Sequence, residues 1–460
     1  MKILIFSLGP IFKDSVHGGS QKILREIMTH LGNKGHIVDV FCTKRKDNNE
    51  TFSLSKNVYV HPALRFRETF PEPYKTPPYN LSSIISVLSE EIKRHDVFYI
   101  HDSGLDFTFL TKNIPTVWSL RDFIYPESIL GGLNFSRDAM IINSEYTYLS
   151  YLSLIRTYRK NPEQKIFLIN NGINVNHFKH KNSDSLRKRI GLPKDDLVII
   201  YPHRPEVSKG IFEVLKVLDI LVNEKGIQNI KLLIPRYIDL KISNSLEKVY
   251  KNIRDEARKL NVSNNIIFHE WIEYNDLPEY YSLGDLSLSI GNFVECFPNV
   301  SLESIACGTP SISARVATHR YVLPENIETK IDFGDIKECA NIAFKYLNSD
   351  NGELIKKGKE YIIKHFAFSK MLEGYEDIIT GCSKSEGLKQ INISQNSRSY
   401  KIAPWCYLSE KFGFYNDYNY EYNKDEEFIN LIKTKKIIKE DDNNRNIIIE
   451  HFEKGDLVLI

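Results

Sequence analysis

The sequence reads Glu295-Cys-Phe-Pro-Asn-Val-Ser-Leu-Glu303 and continues Ser304-Ile-Ala-Cys-Gly-Thr-Pro310 at the stretch that decides its fold. The Pro-Asn pair is typical of a loop and a helix cap, so we expect a helix to begin at Asn299 or Val300. The closing Gly-Thr-Pro should end that helix. Unpaired N–H groups and the positive dipole end at a helix start attract an anion. The stretch therefore predicts an anion site.

Two carboxylates flank the predicted helix start. Glu303 falls about one turn inside the helix, where a carboxylate could accept hydrogen bonds from two hydroxyls of a ribose. Glu295 lies in the preceding loop and could accept hydroxyls of a sugar. Two glutamates at this spacing occur by chance in many charged chains, so the prediction depends on the full string.

The whole string resembles the Glu-x7-Glu signature of the retaining glycosyltransferases of family 4, including the trailing Ala-Cys-Gly-Thr-Pro. The resemblance implies a GT-B fold, in which two Rossmann-like domains face each other across a cleft. It implies that Glu303 holds the ribose of the donor nucleotide and that Glu295 contacts the donor sugar. Further donor-binding candidates are the residues around the helix start, Phe297, Pro298, Asn299 and Val300.

A second cluster reads Tyr201-Pro-His-Arg204-Pro-Glu-Val-Ser-Lys209-Gly210. It follows an apolar run at 197–200 and precedes an amphipathic stretch at 211–221, which predicts a strand, a loop and a helix. Such loops bind ligands at the carboxyl ends of parallel strands. Arg204 and Lys209 could together neutralise a diphosphate. They resemble the Arg and Lys-Gly that hold the donor diphosphate in the same family.

The amino terminus carries a third cluster. Residues 2–6 are typical of a buried strand, and Gly18-Gly19 forms a turn that should open a helix over 21–31. A glycine pair lets the backbone approach a ligand closely. The pair resembles the family's Gly-Gly loop, which lies under the donor phosphates.

One departure from the family concerns Arg121-Asp122, where relatives commonly carry His-Asp. Arg121 is a third phosphate ligand, or it alters donor choice, or it is a cation paired with Asp122 or Glu127. His101-Asp102 follows the predicted strand 97–100 and is an acceptor-side candidate, as is Arg121.

Trp271 falls where the family packs the nucleobase, but a core position explains it equally well. His17 and His203 are weaker candidates, because a histidine in a loop is usually only polar. Loops 66–80 and 123–136 would hold the acceptor, whose identity the residues do not reveal.

Composition sets the class of protein. A chain of 460 residues with 42% hydrophobic content can form two α/β domains and a smaller unit. A net charge of +2 gives no reason to expect nucleic acid as a partner. The short basic runs 44–46, 187–189 and 433–436 are either solvated or attracted to an anionic membrane surface.

The six cysteines are scattered without zinc spacing, which favours a reduced cytoplasm. The first apolar run is too short for a signal peptide, and no segment approaches the about 20 apolar residues of a spanning helix. We expect a cytoplasmic protein, with a peripheral contact at the inner face of the membrane as an alternative.

The predicted domains are an acceptor-side domain over 1–178, a donor-binding domain over 196–365, a helix over 366–382 that crosses back, and an additional module over 400–460. The helix that crosses back should extend over 361–379. The end of the chain, 435–460, predicts a hairpin with an Asp-Asn turn and a third strand. With a helix over 425–433 it would form a winged-helix-like module, unless it is a packing appendage or an element for protein contact or oligomerisation.

The resemblance implies retaining transfer of a sugar from a nucleoside diphosphate to a hydroxyl acceptor, with no cofactor and no metal. Two cations and backbone donors would neutralise the leaving diphosphate. A nucleotide-sugar epimerase of the same fold and a degenerate nucleotide-sugar-binding subunit are the alternatives. The acceptor could be a glycan, a lipid-linked sugar, a protein or a metabolite.

Overall fold

A computed structural model describes residues 1–16, 18–67, 76–102, 108–135, 137–236, 243–391, 398–441 and 443–460. The chain forms two compact units, one of Met1–Asn171 with Ser369–Ile460 and the other of Gly172–Phe368. The chain therefore leaves the first unit before residue 178 and returns to it after residue 368. His17, residues 68–75 and residue 136, all within predicted site loops, lie outside the described residues.

The first unit is built on an eight-stranded sheet of order β3-β4-β2-β1-β5-β6-β7-β8. All its pairs are parallel except β3 with β4, and Ile5 on β1 faces Val40 and Tyr99 on the neighbouring strands. Strands buried on both faces are apolar throughout, which is why the sequence revealed them. The elements are β1 (Lys2–Ser7), α1 (Gly19–Asn33), β2 (Ile37–Thr43), β3 (Phe52–Ser55), β4 (Val58–Leu64), α2 (Pro78–Ile92), β5 (Val97–His101), β6 (Thr116–Leu120), α3 (Pro126–Leu133), β7 (Ala139–Ile142), α4 (Glu145–Ile155) and β8 (Ile166–Leu168).

The second unit has a six-stranded parallel sheet of order β11-β10-β9-β12-β13-β14. Its elements are α5 (Asp184–Arg189), β9 (Leu197–Ile200), α6 (Ile211–Asp219), β10 (Ile230–Pro235), α7 (Ser243–Lys259), β11 (Ile266–His269), α8 (Leu277–Ser282), β12 (Leu286–Ser289), α9 (Asn299–Cys307), β13 (Ser311–Ala314), β14 (Thr329–Ile331), α10 (Ile336–Leu347) and α11 (Gly352–His365). Ile199 on β9 pairs with Leu232 and Leu286 at the sheet centre. The prediction of two Rossmann-like α/β domains is confirmed.

The single helix predicted over 361–379 is wrong. Helix α11 ends at His365, and α12 begins anew at Phe368 and runs as Phe368–Gly381. Between them, the Phe366 carbonyl accepts a hydrogen bond of 2.9 Å from the Ile173 N–H. A backbone contact with a distant segment of the chain therefore lies where the helix is interrupted, at a point where the resemblance implied continuity.

The carboxyl-terminal module forms two three-stranded antiparallel sheets of order β19-β15-β20 and β16-β17-β18. Its elements are β15 (Ser399–Ile402), β16 (Cys406–Ser409), β17 (Gly413–Asn416), β18 (Tyr422–Asn423), α13 (Glu426–Thr434), β19 (Ile438–Lys439), α14 (Arg445–Glu453) and β20 (Leu457–Leu459). It belongs to the first unit, where the Tyr146 hydroxyl of α4 donates to the buried Asp417 carboxylate at 3.0 Å. The module is therefore a packed part of that unit, and a role in oligomerisation stays a prediction.

The hairpin predicted over 435–460 is wrong, because α14 occupies its centre. The Asp441 carboxylate accepts the backbone N–H groups of Asn443 and Asn444, each at 3.1 Å, so the expected turn leads into a helix instead. Burial of Ile448 and His451 against the module core then favours the helical period over the strand period. Among residues 425–441 and 443–460, a helix followed by a hairpin, as in a winged helix, does not form.

The six cysteines are free thiols, and five of them are buried. Among the helices of the described ranges, none combines the length and the apolar character needed to cross a membrane.

Candidate active site in the second unit

The loops after β9, β12 and β13 form the candidate site. These three strands are neighbours in the sheet, so their carboxyl ends lie side by side. Open α/β sheets bind ligands at this edge. The loops line a small pocket with the residues His203, Ser208, Lys209, Ser289, Gly291, Phe293, Glu295 and His319.

An ion pair lies in this pocket. The Lys209 Nζ is 3.2 Å from the Glu295 Oε1 and 3.7 Å from the centre of the Phe293 ring, and its side chain is only 12% exposed. Burial raises the pKa of Glu295, but Lys209 and the nearby rings of His203 and His319 outweigh it, so the pKa lies below its usual range. The pocket therefore contains an ionised carboxylate, Glu295, and the Lys209 ammonium, which contacts both that carboxylate and the Phe293 ring.

Two glycines let the loops that carry this pair meet. Gly210 has a φ of +82°, and a Cβ there would lie 2.6 Å from the Gly291 nitrogen. A Cβ on Gly291 would lie 2.3 Å from the Ser208 carbonyl oxygen. That same carbonyl accepts the Phe293 N–H at 2.9 Å. Backbone contact between the two loops thus places Lys209 beside the carboxylate.

The two pocket histidines are buried. His203 follows β9, and its Nε2 is 2.9 Å from the Ser289 Oγ at the end of β12. Burial lowers the pKa of His203 to about 3 and also lowers the pKa of His319. Both rings are therefore neutral near pH 7. Each can donate one hydrogen bond and accept another without adding charge to the pocket.

Helix α9 begins at Asn299, as the sequence predicts, and ends before Gly308, whose φ of +106° is left-handed. Glu303 lies inside it, only 7% exposed, and the Tyr281 hydroxyl donates to its Oε2 at 2.9 Å. Phe297 packs in the core of the unit against Phe366, with ring centres 5.9 Å apart. Of the other helix-start candidates, Pro298 is buried and Asn299 and Val300 are half-buried.

Arg204 and Trp271 lie in neighbouring loops. The Arg204 Nε is 3.2 Å from the Glu206 Oε1, and the arginine side chain is 38% exposed. Trp271 is half-buried in the loop after β11. Neither lines the pocket that contains the ion pair.

Arg121, in the first unit, is 4% exposed. Its Nη1 donates to the Tyr375 hydroxyl at 3.0 Å and its Nη2 to the Asn171 Oδ1 at 2.9 Å. The guanidinium therefore binds to α12 and to the last residue before the chain leaves the unit, rather than to Asp122 or Glu127.

Of the acceptor-side candidates, His101 ends strand β5 and Asp102 follows it. The His101 ring is buried, with Nε2 3.0 Å from the Ser20 Oγ and Nδ1 2.7 Å from the Tyr99 hydroxyl. Burial and Arg121 hold the pKa of His101 well below its usual value. Asp102 has a φ of +54°, and burial together with a neighbouring carboxylate raises its pKa to about 7.

The glycine turn precedes α1, which begins at Gly19. Gly18 has extended backbone with a φ of 178°, and a Cβ there would meet nothing within 4 Å. Neither backbone conformation nor packing requires glycine at this position, and close approach of a ligand stays a prediction.

The sequence did not single out Ser289, Gly291, Phe293 and His319. Each follows or ends a parallel strand, so the rule that ligands bind at strand carboxyl ends could have found them if it had been applied to β12 and β13 as well as to β9. Residue type was no guide, because a glycine or a phenylalanine in a loop is common.

The pocket suits a polar ligand that carries both negative charge and hydroxyl groups, because a lysine, a carboxylate and neutral imidazoles line it together. Across the described ranges, no group of three or more His, Cys, Asp and Glu side chains lies close enough to hold a metal ion.

Two family models match this chain. One, described as glycosyl transferases group 1, matches residues 182–365, and the other, described as glycosyltransferase family 4, matches residues 17–177. Together they span most of the chain, and the first contains the pocket and α9.

Two curated relatives match over most of this chain. The chain is 25% identical over 340 residues to the D-inositol 3-phosphate glycosyltransferase of Thermobispora bispora, covering 67% of this chain and 77% of the relative. It is 22% identical over 379 residues to the N-acetyl-alpha-D-glucosaminyl L-malate synthase of Bacillus anthracis, covering 78% and 93% of the two chains.

Solved structures share the fold. Sucrose-phosphate synthase from Thermosynechococcus elongatus matches with a TM-score of 0.69 at 18% identity, covering 83% of this chain and 98% of that one. HepE from Anabaena in complex with UDP and glucose matches with a TM-score of 0.64 at 16% identity, covering 83% and 100%. The predicted GT-B fold is confirmed by these likenesses.

Proposed function

Because this chain belongs to the family 4 glycosyltransferases of the GT-B fold, we propose that it transfers a sugar from a nucleoside-diphosphate sugar to a hydroxyl group of an acceptor, with retention of the anomeric configuration. The observation that carries this proposal is the Lys209–Glu295 pair at 3.2 Å, in a pocket at the carboxyl ends of adjacent parallel strands. The structure of HepE with UDP and glucose supports a nucleotide sugar as the donor.

In this proposal the donor diphosphate is bound by Lys209, Arg204 and the N–H groups at the start of α9. Arg204 is half-buried in the loop after β9, and a guanidinium offers a fork of donors that matches a phosphate. Glu303 accepts hydrogen bonds from the ribose hydroxyls of the donor, and Trp271 packs near its nucleobase. Gly18 and Gly19, the donor-binding candidates of the first unit, stay predictions.

Transfer breaks the bond between the anomeric carbon and the diphosphate oxygen and forms a bond from that carbon to the acceptor oxygen. The electron pair of the broken bond leaves with the diphosphate, whose charge Lys209 and Arg204 offset. The departing phosphate oxygen takes the proton of the acceptor hydroxyl. Ionised Glu295 accepts a hydrogen bond from a hydroxyl of the transferred sugar. Its negative charge stabilises the positive charge that develops near the anomeric carbon of that sugar.

On the acceptor side, we assign His101, Asp102 and Arg121 of the first unit. His101 and Arg121 are buried and bonded within that unit, so they position the strand ends, whereas half-buried Asp102 is the candidate for direct contact. The acceptor class, a cytoplasmic location and a peripheral membrane contact stay predictions.

Donor binding is expected to raise the melting temperature (Tm) of the protein, since a ligand that binds only the folded state stabilises it. The measurement is thermal unfolding of the full chain with UDP-, GDP-, ADP-, CMP- and dTDP-sugars, with magnesium and with a chelator. We expect one nucleotide to give a selective shift of equal size under both conditions. A shift that requires magnesium would contradict two-cation neutralisation, and no shift with any donor would contradict the proposed function.

Glu303→Gln is expected to weaken donor binding about 10-fold with little change in Tm, because it removes the charge that favours ribose hydroxyls yet keeps an acceptor for Tyr281. Titration calorimetry with the donor measures the affinity. The matched variant Glu303→Ala should also lower the free energy of unfolding by about 1 to 3 kcal/mol, because it leaves the buried Tyr281 hydroxyl unpaired. Equal stability losses in both variants would indicate a structural carboxylate.

A further inference from the structure

His319 is a pocket residue to which the proposed reaction gives no role. It lies in the one-turn helix Ala317–Arg320 that follows β13, and its ring lines the same pocket as Lys209 and Glu295. The backbone N–H of His319 donates to the Val316 carbonyl at 3.2 Å, which holds the turn in place. Ala317 enters this turn with a φ of +46°, an uncommon conformation for a residue with a side chain.

The His319 ring is poorly satisfied in the free protein. The residue is 5% exposed, and its Nδ1 has no hydrogen-bond partner among the residues that the structure describes. Buried polar atoms are nearly always paired, so an orphan at a pocket wall points to a partner supplied by a ligand. By contrast, the neighbouring His203 has the Ser289 hydroxyl as its partner.

The charges around the ring indicate what that partner is. Burial lowers the pKa of His319 most, the carboxylates of Glu328 and Glu295 act to raise it, and Lys330 and Lys209 act to lower it. Glu295 is ionised, so a second anion beside this ring would be repelled. A hydroxyl group, which can both donate and accept, suits a neutral imidazole beside a carboxylate.

We propose that His319 is a specificity-determining residue that hydrogen-bonds a hydroxyl of the donor's sugar, the group held between His319 and Glu295. This inference rests on the proposed function and assigns the sugar end of the donor to the strand β13 side of the pocket. Lys209, on the β9 side, takes the diphosphate.

The test is titration calorimetry on the full chain and on His319→Phe, with UDP-glucose and UDP and with GDP-mannose and GDP as probes. Phenylalanine supplies a planar aromatic ring, six-membered rather than five-membered, without the two nitrogens. For the pair that the wild type binds, we expect the nucleotide sugar to bind about 10-fold more weakly to His319→Phe and the nucleoside diphosphate to bind equally well. The Tm of the free variant should stay level or rise, because the unpaired nitrogen is removed.

The matched control is His365→Phe, at an exposed histidine of the same unit that stacks on Tyr361 with ring centres 4.3 Å apart. Its donor affinity should equal that of the wild type. Unchanged nucleotide-sugar affinity in His319→Phe, or an equal loss with the nucleoside diphosphate, would overturn the inference while leaving the proposed function intact. Failure of the wild type to bind any probe would overturn both.

Discussion

Replacing Lys209 with alanine is expected to lower the rate of sugar transfer by roughly 10-fold to 100-fold or more. The ammonium makes charge-assisted hydrogen bonds worth about 1.5 to 3 kcal/mol to an anionic partner, and each about 1.4 kcal/mol is tenfold in rate. In the free protein that partner is Glu295, at 3.2 Å. In the proposed reaction it is the departing diphosphate. The measurement is steady-state transfer with the donor identified by thermal shift.

The same variant leaves the Glu295 carboxylate without its cation, so a second effect must be separated from the first. A double variant that combines Lys209→Ala with Glu295→Gln no longer has the unpaired charge. Its Tm should return to that of the wild type, whereas its transfer rate should stay low. Recovery of the rate in the double variant would show that Lys209 acts only by pairing with Glu295. As a surface control, Lys357→Ala removes a lysine that is 58% exposed on α11, and turnover should not change.

Gly291→Ala is expected to destabilise the second unit by about 3 kcal/mol and to abolish donor binding. The added Cβ would lie 2.3 Å from the Ser208 carbonyl oxygen and 2.4 Å from the Lys209 carbonyl carbon, and backbone atoms cannot move aside as a flexible side chain can. Separation of the loops would also withdraw Lys209 from the pocket. Thermal unfolding and donor titration measure the two effects.

Two further glycines separate steric overlap from backbone strain. Gly210→Ala combines a φ of +82° with a Cβ 2.6 Å from the Gly291 nitrogen, so both costs should appear. Gly226→Ala has a φ of +76° but open space, so only the left-handed backbone cost of about 1 to 2 kcal/mol should appear. If Gly291→Ala were no less stable than Gly226→Ala, the close approach of the two loops would not constrain the fold.

Much of the second unit was predictable because its signals are local. Parallel strands buried on both faces are apolar along their whole length, so runs such as 231–234 identify β10 within a residue or so of its ends. The start of α9 was also predictable, because Pro298 and Asn299 restrict the backbone at that point. Where a contact was distant in sequence, as at the break between α11 and α12, the sequence did not reveal it.

The carboxyl-terminal module shows the same division. Helix α13 was expected near residues 425–433 from its period, and it forms as Glu426–Thr434 with the Asp425 carboxylate accepting the Phe428 N–H. The segment of α14 has three consecutive isoleucines, which local propensity assigns to a strand. Packing of Ile448 and His451 in the module core overrode that propensity.

By itself the sequence determined the alternation of strands and helices, the start of α9 and the residue types that a nucleotide sugar requires, because each depends on neighbours within a few positions. Only the tertiary structure decided which of those residues meet. The pairing of Lys209 with Glu295, the commitment of Arg121 to Tyr375 and the unpaired nitrogen of His319 all depend on contacts between segments far apart in the chain. Such contacts are set by strand order and backbone approach, which local residue patterns do not encode.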